Sequence, residues 1–146
     1  MLFLFPTAHD LPGGEDWTVC VDDRGAPVRR FSPRYYAELF ADLGIETAAC
    51  LSHTEPSASA TLAASGIATT DLGLAEAFEE GAFLAAIDRL LVTCGAARGA
   101  VALHSGRGGE WPAWIGAAVE EVLVVRAGFE KGAAEAWMGM LCPWLL

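Results

Sequence analysis

Gly99-Ala100-Val101-Ala102-Leu103-His104-Ser105-Gly106-Arg107-Gly108-Gly109-Glu110-Trp111-Pro112 reads as a strand, a glycine-rich loop and the start of a helix. The apolar run Gly99 to Leu103 suits a buried parallel strand, and Pro112 stands where a first helical turn tolerates a missing N–H. A loop of this kind aims backbone amides at one point, which is the layout of a phosphate-binding site.

Outward from that stretch, strand and helix signals alternate, the pattern of an α/β domain with a mostly parallel central sheet flanked by helices. Leu2 to Phe5 and Trp17 to Val21 are expected strands, separated by a loop through Pro12-Gly13-Gly14. Ser32-Pro33 is a cap followed by a first-turn proline, and Tyr35, Tyr36, Leu39, Phe40 and Leu43 give a helical apolar face closed by Gly44. Ile45 to Leu51 reads as a buried strand, Ser57 to Ser65 as a short helix ended by Gly66, and Ile67 to Leu72 as another strand. A helix is expected from Glu79 to Cys94, with Phe83, Ala86, Ile87, Leu90 and Leu91 on its apolar face and Gly95 as its stop. Beyond the loop, a largely buried helix from Pro112 to Arg126 turns Glu120 and Glu121 outward, and a last helix spans Glu130 to Leu141, before Pro143. The sheet would hold the loop at the carboxyl ends of its strands, where open α/β sheets bind ligands.

A chain of 146 residues with 53% hydrophobic content is expected to form one domain over residues 1–146. The formal charge of −10 argues against nucleic acid and anionic membrane as partners, since both need a basic footprint. Basic residues number nine, eight Arg and Lys131, and their one doublet, Arg29-Arg30, reads as a solvated loop. Met1 to Phe5 is apolar but stops at Pro6, too short for a signal peptide or a membrane span. Cys20, Cys50, Cys94 and Cys142 are widely spaced, which suggests neither zinc nor a disulfide framework and reads as reduced, buried thiols in an intracellular protein. No metal or cofactor is expected.

From Val28 to Pro143 the chain resembles the mitotic-exit branch of the dual-specificity, cysteine-based protein tyrosine phosphatases. The likeness rests on Phe31-Ser32-Pro33-Arg34-Tyr35-Tyr36, Ile45 to Leu51, Ala64-Ser65-Gly66-Ile67, Asp71-Leu72 and Gly99 to His104. Phe129, Ala134, Ala136, Trp137 and Pro143 match the spacing of that family's final helix, the interval from Trp137 to Pro143 being the most specific part. The resemblance implies a single-domain cysteine-phosphatase-like fold. It also implies what is missing. Where the family has its nucleophilic Cys, this chain has Ser105, and a hydroxyl is a poor nucleophile without a general base. Where the family has the Arg that clamps two phosphate oxygens, it has Trp111; the hydroxyl residue that follows is Pro112. Glu110 replaces a loop glycine and brings negative charge to a helix start. Glu76 falls at the place of the family's general acid, and reads as a surface acid beside Glu79 and Glu80.

The expectation is therefore a pseudophosphatase with no catalytic residues, working as a structural or protein-interaction subunit of a larger assembly. Members of the resembled family act on cytoskeletal and cell-cycle assemblies, which makes a cytoplasmic, cytoskeletal or ciliary complex the expected home. The apolar tail Leu141 to Leu146 fits either a partner or the chain's own domain. An alternative is an anion- or phosphopeptide-binding module in which Gly106, Arg107, Gly108 and Gly109 present amides and a cation. A remote alternative is a serine hydrolase using Ser105, although Leu103 and Arg107 stand where a nucleophile elbow needs glycines. His104 is a weak candidate for the base of Ser105, because neighbours on a strand point to opposite faces, and it reads as a structural histidine bonded to nearby backbone. Trp111, three residues from Trp114, is expected to fill part of the emptied pocket, a burial worth about 2 kcal/mol.

Overall fold

The computed structural model describes residues 2–5, 8, 10–21, 24–75, 77, 79–104, 111–134 and 136, with the backbone alone at 3, 4 and 111–115. Its centre is a four-stranded, all-parallel sheet of β1 (Leu2–Leu4), β4 (Ile45–Cys50), β5 (Ala68–Asp71) and β6 (Ala100–His104), in the order β1-β6-β4-β5. A separate antiparallel hairpin joins β2 (Trp17–Val21) to β3 (Pro27–Phe31). The helices are α1 (Pro33–Asp42), α2 (Pro56–Ala64), α3 (Glu80–Ala96) and α4 (Trp111–Glu120).

Parallel strands need crossovers that cover both faces, and the core divides accordingly. Val101 and Leu103 of β6 pack with Ala49, Leu51 and Leu72 against Phe83, Ala86, Ile87 and Leu90 of α3 and Ala118 and Val119 of α4. Ala102, between them in β6, points to the opposite face with Ala48 and Ile45, where Tyr36, Ala37 and Phe40 of α1 and Leu62 of α2 close over it. Small residues at 48 and 102 leave room for rings there. Phe5 lies edge-on to Phe40 and Tyr36, with centroids 4.8 and 5.8 Å apart, and Phe31 stacks on Tyr35 at 4.5 Å.

Local chemistry sets the boundaries. The Ser32 hydroxyl accepts from Tyr35 N at 3.1 Å, and Pro33 occupies the first helical position of α1. Gly44, at φ +70, takes the left-handed turn out of that helix. Glu79 caps α3, its carboxylate accepting from Gly81 N at 2.9 Å and Ala82 N at 2.6 Å. Glu130 does the same for a helical turn beginning at Lys131, accepting from Gly132 N and Ala133 N.

Several expectations need correction. Arg29 and Arg30 lie in strand β3 rather than a loop; a charged doublet after Pro27 hides a strand that buries neither face fully. Helix α3 passes through Gly95 to Ala96, because nothing crowds that glycine and Ala97 N still reaches Thr93 O at 3.0 Å. After α4 the helix widens to π geometry over Glu121–Arg126, with Ala127 N donating to Val122 O at 3.0 Å. There Glu121 is half-buried rather than turned outward, and receives Arg126 Nε at 3.3 Å. Of the thiols, Cys50 is buried, whereas Cys20 and Cys94 are half-exposed; Cys142 lies outside the described residues.

Candidate functional site

Pairing across β6, β4 and β5 sets three reactive residue types in one row at the carboxyl ends of the strands. Cys50 is in register with His104 on one side and Asp71 on the other. The row is locked by backbone bonds that continue past the strands: Leu51 N donates to His104 O at 2.9 Å, Leu72 N to Cys50 O at 2.8 Å and Leu74 N to Leu51 O at 2.8 Å. This edge of a parallel sheet is where the fold places ligand sites.

His104 is the most unusual member. Two residues beyond Ala102, it shares that residue's face of the sheet by alternation. Its Nδ1 is buried and has no hydrogen-bond partner among the described residues. Burial lowers its pKa from 6.5 to about 4, against a weaker opposing pull from the Asp71 charge. The imidazole is neutral near pH 7 and offers no positive charge to an anion.

Cys50 is equally unreactive. Its Sγ lies 3.9 Å from Ser52 Oγ, and burial pushes the thiol up to about 11, with the Ser52 hydrogen bond opposing. Asp71 is committed to structure. One carboxylate oxygen accepts from Thr54 N at 2.9 Å and Thr54 Oγ1 at 2.7 Å; the other stands 3.8 Å from Nδ1 of the exposed His53. These contacts fasten the loop after β4 to the end of β5. The Arg89 guanidinium, on α3, donates to the carbonyl of Leu72 just beyond Asp71.

Of the residues singled out in the sequence, β6 ends at His104 and α4 begins at Trp111, so a strand precedes residues 105–110 and a helix follows them, as expected. Ser105, Gly106, Arg107, Gly108, Gly109 and Glu110, and likewise Glu76, lie outside the described residues; Trp111 and Pro112 are described by backbone alone. The reading of Trp111 as a plug therefore falls outside the described side chains. Thr54 and His53 went unremarked in the sequence, where a short polar run before Pro56 looks like any loop. Their one signal was an Asp at the end of the next strand, able to receive a Thr hydroxyl and amide together.

Among the described residues no group of His, Cys, Asp and Glu is arranged to hold a metal ion. No described helix is long and apolar enough to cross a membrane. Compared with known proteins, the chain matches no family model and no curated relative.

Proposed function

We propose that this chain is a phosphatase-like protein of the dual-specificity type without phosphatase chemistry, serving as a structural or protein-interaction subunit of a larger assembly. The observation that carries the reading is the passage from β6 through residues 105–110 into α4 at the carboxyl edge of a parallel sheet, with Ser105, Trp111 and Pro112 at the places of thiol, guanidinium and hydroxyl. A phosphate ester must meet a nucleophile and a positive clamp there.

The neighbourhood supplies no substitute among the described residues. Cys50, the thiol in the row, is buried with a raised pKa, and His104 is neutral. Arg89 is spent on a backbone carbonyl, and Arg126 is paired with Asp88 and Glu121. Arg98 precedes β6, at the opposite end of the strand from His104. With a net charge of −10, the protein as a whole also disfavours a phosphorylated substrate.

A protein whose purpose is contact should be found in contact. Size fractionation of a native extract is expected to place the chain in a particle much larger than its own mass. Elution as a monomer under gentle conditions would contradict the subunit role.

A further inference from the structure

We draw no further inference here: the strongest candidate, the exposed apolar strand β2 (Trp17, Val19 and Val21) on the β2–β3 hairpin, carries none, because nothing in the structure shows what covers it.

Discussion

At the residue scale, His104 carries the largest consequence. An unfolded chain takes up a proton on this imidazole near pH 6.5, whereas the folded one resists until about pH 4. Between those values the unfolded state binds more protons, so stability rises with pH there and falls on acidification. The stabilisation is complete above about pH 6.5 and amounts to at most about 3 kcal/mol. His104→Gln is expected to lose this dependence, so that urea midpoints of variant and parent converge as pH drops from 7 toward about 4. Parallel pH profiles for the two proteins would show that the ring is not kept neutral by burial. The same burial logic makes Cys50 a spectator: a thiol at about 11 beside Ser52 is packing material, not a nucleophile.

At the scale of elements, glycines separate contacts that matter from space that does not. A Cβ on Gly99 would sit 2.5 Å from the Gly44 carbonyl oxygen, where the turn out of α1 passes the start of β6. Gly99→Ala must push one of those backbones aside and is expected to cost about 1–3 kcal/mol. Gly95, inside α3 with nothing within 4 Å of its added Cβ, is the control. Gly95→Ala should stabilise by up to about 1 kcal/mol by raising helix propensity. Thermal unfolding of the two variants checks the pair, and a neutral Gly99→Ala would mean that the close approach is not kept in solution.

The elements that the sequence revealed are those where burial imposes a pattern. The cap and proline at Ser32-Pro33, the apolar run before His104 and the helical spacing from Phe83 to Leu90 each left a strong periodic trace, and each has its expected structure. Strand β3 left none, because Pro27, Arg29 and Arg30 are exposed and no buried face enforces alternation. The π-helical segment after α4 was equally silent. Its run Val122 to Val125 reads as an apolar helix face, and the widening is a matter of hydrogen-bond register rather than composition.

For the molecule as a whole, alternation of strand and helix was enough to expect a parallel sheet with helices on both sides, and the two-faced core follows from it. The candidate site was legible only in part. His104 and the end of its strand could be read from the run itself, but the row of Cys50, Asp71 and His104 depends on strand order, which no local pattern encodes. The polar loop of His53 and Thr54 gains meaning only once β5 is known to lie beside β4.

The proposed pseudophosphatase keeps a strand and a helix on either side of residues 105–110 but lacks the thiol and guanidinium that hydrolysis needs. Hydrolysis of a small aryl phosphate by the purified, unmodified chain tests this most directly, with Ser105→Ala measured alongside. Neither protein is expected to release the aryl alcohol above the buffer rate. Turnover by the unmodified chain that disappears in Ser105→Ala would contradict it.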